Sequence, residues 1–326
     1  MQLIILAVCA FVLSAVFGRL AVPALRALKA GQSIREIGPN WHSSKAGTPT
    51  MGGITFIAAT TLCVVAAGWR SMLAGSYAHL IVLGFGLLYA LIGFLDDFFK
   101  VKLKRNLGLT AAQKFALQVA VAALFLVVLQ ITGSLTCSLY IPFVQKTVEM
   151  NRIVYLVLAA FVLVGCVNAV NLTDGVDGLA TGVTMPVMAF FAITAFCWKQ
   201  TALSFLPAAL FGALGGFLLY NFHPAKMFMG DTGSLFLGGI VCGLAFALDM
   251  PLILVLVGLI YLIETVSVIL QVGYFKLTHG KRIFKMTPIH HHFELCGWSE
   301  VRIFTVFTAV TFLMCVLAWL GVRGRF

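Results

Sequence analysis

Charge is what this chain lacks. Asp, Glu, Lys and Arg together make up 10% of its 326 residues, against about 25% in a water-soluble domain. That deficit excludes an ordinary soluble globular fold. Acidic groups are the scarcest, with 11 Asp+Glu set against 22 Lys+Arg. Paired cysteines are missing as well. The eight present form no CxxC motif and fall mostly inside apolar runs, so they read as small hydrophobes and not as disulfide or metal ligands.

What fills the chain is hydrocarbon: 61% of residues are hydrophobic and the mean hydropathy is +1.04. Runs of about 17–25 apolar residues cross a bilayer as helices, because only internal hydrogen bonding satisfies the backbone there. Such runs lie near 2–20, 51–68, 78–95, 112–131, 153–170, 179–197, 203–220, 233–248, 252–274 and 301–321. The expected fold is therefore an all-α integral membrane protein of about ten spans, one polytopic unit over residues 1–326. The first run is too long, and too soon followed by basic helix-like sequence, to read as a cleaved signal peptide. The segment 133–152 alternates imperfectly around Pro142 and suggests a short hairpin.

Ten spans put both termini on one side. Of the 22 Lys+Arg, Arg70, Lys146, Arg152, Lys199, Arg323 and Arg325 share that side, which leaves 16 opposite. Positive-inside bias then places the 16-cation face in the cytoplasm and the termini outside. The +11 net charge needs no nucleic-acid partner. It suits anionic lipid head groups or a polyanionic substrate on that face.

Five of the six aspartates gather at the same membrane edge. Asp96 and Asp97 close the third run, with Lys100, Lys102, Lys104 and Arg105 behind them. Asp174 and Asp177 lie in NAVNLTDGVDGLA, and Asp231 in FMGDTGS. Carboxylates near hydrocarbon are costly and mark function. Glycine follows or precedes three of them, which permits close backbone approach to a ligand. A helix starting at Gly233-Ser234 would also offer free N–H groups to an anion. Carboxylates, amides and lysines together suit Mg²⁺ and a diphosphate. Asp96-Asp97 begins like a prenyl-diphosphate DDxxD motif, but Lys100 breaks the pattern. In TPIHHHFE, the adjacent His290, His291 and His292 would diverge by about 100° on a helix and so cannot share one metal ion. His42, His79, His223 and His279 carry no comparable signal. Glu264, deep in the ninth run, is the one acid that a cation-coupled transporter could use.

Five stretches carry a resemblance: SKAGTPTMGG (44–53), FLDDFFKVKLKRNLGLT (94–110), NAVNLTDGVDGLATG (168–182), YNFHPAKMFMGDTGSLFLGG (220–239) and TPIHHHFE (287–294). In this order they resemble the phospho-N-acetylmuramoyl-pentapeptide transferase (MraY) family, within the polyprenyl-phosphate N-acetylhexosamine-1-phosphate transferases. The resemblance implies a Mg²⁺-dependent enzyme of the bacterial plasma membrane, homodimeric, with its cleft facing the cytoplasm. It implies that UDP-N-acetylmuramoyl-pentapeptide and undecaprenyl phosphate are joined to give lipid I and UMP. Carried over by motif position, Asp97 would be base or orienter for the lipid phosphate, Asp96 would stand beside it, and Asp231 would ligate Mg²⁺. Asn171, Asp174, Asp177, Asn221, Phe228 and Gly230 would form the nucleoside and phosphate cleft, with Phe228 against uracil. Lys45, Thr50, Lys114, Gln271, His290, His291 and His292 would complete the pocket. A sister transferase using UDP-N-acetylglucosamine and a cation-coupled transporter are the alternatives. Direct attack and a covalent aspartyl route both stay open.

Overall fold

The computed structural model describes residues 1–27, 47–103 and 108–325. Ten of its helices are long and apolar enough to cross a membrane: α1 (Gln2–Ala27), α2 (Gly53–Leu73), α3 (Ala78–Leu103), α4 (Ala111–Ile131), α5 (Arg152–Thr173), α6 (Leu179–Cys197), α7 (Thr201–Asn221), α8 (Gly230–Ala247), α10 (Leu259–Leu277) and α12 (Glu300–Val322). Two shorter helices, α9 (Leu254–Val257) and α11 (Ile289–Leu295), complete the all-α bundle. The hairpin expected within 133–152 is present: β1 (Ser138–Ile141) pairs antiparallel with β2 (Lys146–Glu149), Ser138 opposite Glu149.

Helix α8 is the axis. Of its most apolar stretch 83% is buried, whereas the corresponding value for α1 is 22%. Lipid gives helices little hydrophobic reason to associate, so close backbone packing has to do it. The sequence supplies small residues where α8 meets its neighbours: a side chain on Gly238 would strike the Val167 backbone of α5, and one on Gly239 would press on Tyr89 of α3. Phe56, Phe217 and Phe236 fill the space between α2, α7 and α8.

Several boundaries differ from the sequence expectation, each for a local reason. Helix α3 continues eight residues past Leu95, because Asp96 and Lys100 pair one turn apart and a satisfied charge does not end a helix. The two aspartates thus lie on the flank of α3 and not at its tip. Helix α1 likewise runs through Arg19 and Pro23 to Ala27. Helix α8 starts at Gly230, three residues earlier than expected. The ninth run is broken: a 3-10 turn at Pro251–Ile253 and α9 precede Gly258, and α10 begins only at Leu259. Polar caps set other starts, including a capping box of Thr110 and Gln113 on α4 and Ser299 on α12.

Candidate active site

The double aspartate splits its duties because successive residues on a helix point about 100° apart. Asp97 faces the start of α8. Its carboxylate accepts the backbone N–H of Asp231 (3.2 Å) and of Thr232 (2.9 Å) and the Thr232 hydroxyl (2.7 Å). The helix begins earlier than the Gly233-Ser234 start expected to offer free amides, Gly233 N–H is bound to Met229 O within it, and the amides at its new start are held by Asp97, which caps α8 from a neighbouring helix. Gly230 makes this approach possible. Its φ is +71°, and a side chain there would strike both Asp97 Oδ2 and Thr50 Oγ1. Thr50 is delivered by a backbone pairing of two loops, with Phe228 N–H donating to Pro49 O and Gly52 N–H to Phe228 O.

Asp96 faces the other way, into a cationic cluster. Its Oδ2 lies 2.6 Å from Lys100 Nζ, and its Oδ1 accepts Leu109 N–H at 2.7 Å. Asp231 is the hub. Its Oδ2 takes Lys100 at 2.8 Å and Lys114 at 2.9 Å, while Oδ1 accepts the Asn171 amide at 2.9 Å. Four helices, α3, α4, α5 and α8, thus meet at one carboxylate. A second layer steadies them: Asn168 donates to Gln118 Oε1 at 2.7 Å, and Tyr89 donates to the Gln118 carbonyl. Gln118 and Asn168 were not singled out from the sequence, and Lys100 was noted there only as one of four cations behind the aspartates, although it stands one helical turn after Asp96.

The turn between α5 and α6 brings Asp174 and Asp177 to the same face. Among the described residues no group hydrogen-bonds to the Asp174 carboxylate. Burial, reinforced by the nearby carboxylates of Asp231, Asp97 and Asp177, pushes its pKa up to about 8. Between about pH 4 and about pH 8 the folded protein keeps a proton that the unfolded chain has released, so stability falls across that window and is level above it. Asp174→Asn cannot ionise and escapes the penalty. In thermal unfolding of ligand-free protein in detergent, its advantage over wild type is expected to be larger at pH 8 than at pH 5. An advantage independent of pH would refute this account of Asp174.

Asp177 is differently placed. Its Oδ2 accepts Ala225 N–H at 2.9 Å and meets His223 Nδ1 at 3.0 Å, and its own N–H donates to Glu300 Oε2 at 3.1 Å. His223 and Glu300 carried no sequence signal, since only the fold brings the α7–α8 loop and the first residue of α12 to this turn. Asn221 is buried and braces that loop, donating to Met227 O and accepting the Thr181 hydroxyl. Phe228 is half-buried beside Gly230. Gln271 plays a similar bracing part, accepting the N–H groups of Ile283 and Phe284 on Oε1. Lys45 lies outside the described residues.

The three histidines diverge as expected. His290 Nδ1 meets Glu264 at 3.1 Å, His291 Nδ1 meets Glu294 at 2.6 Å, and His292 Nδ1 accepts Lys285 N–H at 3.1 Å. His290 is wholly buried behind Gly175, so it backs the pocket without opening into it. Two arrangements on this face could hold a cation. Asp96 and Asp231 already cradle two ammonium groups at 2.6–2.9 Å, and their all-oxygen donors match a hard ion such as Mg²⁺. Asp177, His223 and Glu300 place three ligand atoms within 4.8 Å of one another. An imidazole in that set suits softer transition metals better.

An apolar groove of about 420 Å³ lies between α5 and α10, its lining running from Tyr155 and Pro251 to Ala169 and Ile269.

Carboxylates and lysines gathered at one end of a multi-helix membrane bundle suit a membrane enzyme that handles phosphate groups. The comparisons agree. Residues 79–249 match the model of glycosyl transferase family 4, and residues 45–57 match phospho-N-acetylmuramoyl-pentapeptide-transferase signature 1. A phospho-N-acetylmuramoyl-pentapeptide-transferase of Clostridium acetobutylicum is 48% identical over 312 residues, which is 95% of this chain and 96% of the relative. Those of Thermoanaerobacter sp. (48%, covering 98% of each chain) and Staphylococcus aureus (44%, covering 99% of this chain and all of the relative) are similar over the same extent. The chain belongs to the phospho-N-acetylmuramoyl-pentapeptide-transferase family.

Proposed function

We propose that the chain transfers phospho-N-acetylmuramoyl-pentapeptide from its UDP carrier to undecaprenyl phosphate on the cytoplasmic face of a bacterial membrane, forming lipid I and releasing UMP. The convergence of Asp96, Lys100, Lys114, Asn171 and Asp231 carries this reading. The groove between α5 and α10 is apolar enough to suit a prenyl chain, and the cluster suits its phosphate. The water-soluble donor reaches the same point from the loops. A lipid-phosphate oxygen forms the new bond to the donor's distal phosphorus, and UMP departs with the electron pair of the broken phosphoanhydride.

One phosphoanhydride replaces another, so the demands on the protein are alignment and charge neutralisation. Lys100 and Lys114 neutralise phosphate oxygens. Asp231, Asp96 and Asn171 are the groups that would hold Mg²⁺, which supplies Lewis-acid neutralisation of the diphosphate when bound. Asp97, with three donors on its carboxylate, sets the position of α8. Asp96 faces the reacting groups, so the role first given to Asp97 passes to Asp96. Both carboxylates are already held by donors, which favours direct attack over an aspartyl intermediate. Phe228, Asp174, Asp177, Thr50 and Gly230 surround the nucleoside end, with Lys45 included from the motif alone. A homodimer in the bacterial inner membrane is part of the same reading, and cross-linking in native membranes tests it.

Purified protein with undecaprenyl phosphate and Mg²⁺ is expected to release UMP from UDP-N-acetylmuramoyl-pentapeptide and not from UDP-N-acetylglucosamine. Release from the second donor would move the chain to the sister activity. Release from neither would overturn the transferase reading.

A further inference from the structure

Glu264 has no place in the reaction outlined above, yet it is fully buried. It lies on α10, on the buried face that also carries Ile260, Tyr261, Ser267 and Gln271. His290, equally buried, is its partner: Nδ1 at 3.1 Å and the backbone N–H at 3.5 Å both meet Oε2. Neither Glu264 Oε1 nor His290 Nε2 has a partner among the described residues. Leaving buried polar atoms unsatisfied costs free energy, so such a pair persists where its arrangement serves a purpose.

The geometry gives the purpose. With Glu264 Oε2 as the acceptor in this contact, the imidazole carries its proton on Nδ1, which sets both tautomer and ring orientation. Nε2 then points at Gly175. A side chain on Gly175 would land on that nitrogen, so the ring lies directly against the backbone of the Asp174–Gly178 turn. Asp174 opens that turn and Asp177 sits within it, linked to the α7–α8 loop through Ala225 N–H. The chain of contact is therefore Glu264, His290, Gly175 and the turn.

We infer that Glu264 is a positioning residue: it orients His290 so that the imidazole supports the Asp174–Gly178 turn in the shape that grips the nucleotide end of the donor. This rests on the reading that the turn binds that end. Around metal ions, removing the carboxylate that orients a ligating imidazole costs about 10–100-fold, and the lower end is the expectation for this pair, to which no metal is assigned. Here the effect falls on donor binding, because the supported element is the turn assigned to the donor's nucleotide end.

Glu264→Gln, Glu264→Ala and Gly175→Ala, made in the full-length protein in detergent, test the inference. Glu264→Ala is expected to raise the donor KM about tenfold with the KM for undecaprenyl phosphate changed less than about twofold. Glu264→Gln, which keeps an acceptor for Nδ1–H, is expected to restore most of the donor affinity. Gly175→Ala, which pushes on the ring from the other side, is expected to reproduce the donor effect. A parallel loss in both KM values, kcat and thermal stability would show a merely structural role and overturn the inference, as would an unchanged donor KM in Glu264→Ala. Nitrogen NMR of labelled histidine reads the pair without turnover. The His290 tautomer should be fixed in wild type and in Glu264→Gln, and mixed in Glu264→Ala. If no donor releases UMP but the tautomer responds in this way, the activity reading fails while the coupling stands. If the tautomer does not respond, the coupling fails alone.

Discussion

Asp231→Asn is expected to lower UMP release by at least about 10²-fold, equivalent to about 2.7 kcal/mol of lost transition-state stabilisation. The expectation follows from what the carboxylate holds. Lys100 from α3 and Lys114 from α4 both contact Oδ2, and Asn171 from α5 donates to Oδ1. Asparagine has the same shape but only one acceptor oxygen. Whichever way the amide turns, either two ammonium groups or the Asn171 amide then meet an NH₂ donor. The cations drift from the position where they neutralise phosphate. A lost carboxylate also weakens any hard cation held there, so the Mg²⁺ concentration for half-maximal rate should rise together with the loss in kcat. The fold should persist, because Lys100 keeps Asp96 at 2.6 Å and α8 keeps its cap from Asp97. Rates at limiting and saturating Mg²⁺, with thermal unfolding alongside, make the measurement. Near-normal turnover at limiting Mg²⁺ would remove Asp231 from the cation site.

Composition alone made the spans legible, since hydrocarbon thickness sets helix length. It could not place their ends, because ends depend on partners. Asp96 looked like a terminus in sequence, yet Lys100 one turn later and Lys114 from α4 satisfy its charge and let α3 run on. The same kind of error moved Asp231. With α8 expected to begin at Gly233, Asp231 read as a loop residue with free amides beside it. In the structure it lies in the first turn, and its own N–H is bound by Asp97. The carboxylates of the site were visible as scarce charge at one edge, and the lysines were visible as a cationic cluster. Which lysine meets which acid was not visible, because that is a matter of helix azimuth across three neighbours. His223 and Glu300 were silent altogether: they reach Asp177 from segments 46 and 123 residues away. Glu264 was noticed for the wrong reason, as an acid deep in a span fit for ion transport, when its partner His290 lies in a distant loop helix.

Asp97→Asn is the second large effect, and its character separates two roles for one residue. In the structure the Asp97 carboxylate accepts three hydrogen bonds at the start of α8, two from Thr232 and one from Asp231 N–H. Asparagine offers one oxygen to these donors and turns an NH₂ toward the rest, leaving a buried donor unsatisfied at a cost of about 1–3 kcal/mol. Because Asp231 is the second residue of α8, any shift there moves the hub of the cluster. Misplacement of a reacting group by about 1 Å can cost about 10²-fold, so kcat should fall by at least that factor. Unlike Asp231→Asn, this variant should also melt several degrees lower. A general base would leave a different mark: its loss abolishes the acid limb of the pH–rate profile, because the ionisation that switches the reaction on has gone. A cap leaves that limb in place on a reduced rate. The residual activity of Asp97→Asn should therefore keep the wild-type pH dependence, and Asp96→Asn should be the variant that alters it. Loss of the acid limb in Asp97→Asn at unchanged thermal stability would return the base to Asp97 and leave Asp96 as its neighbour.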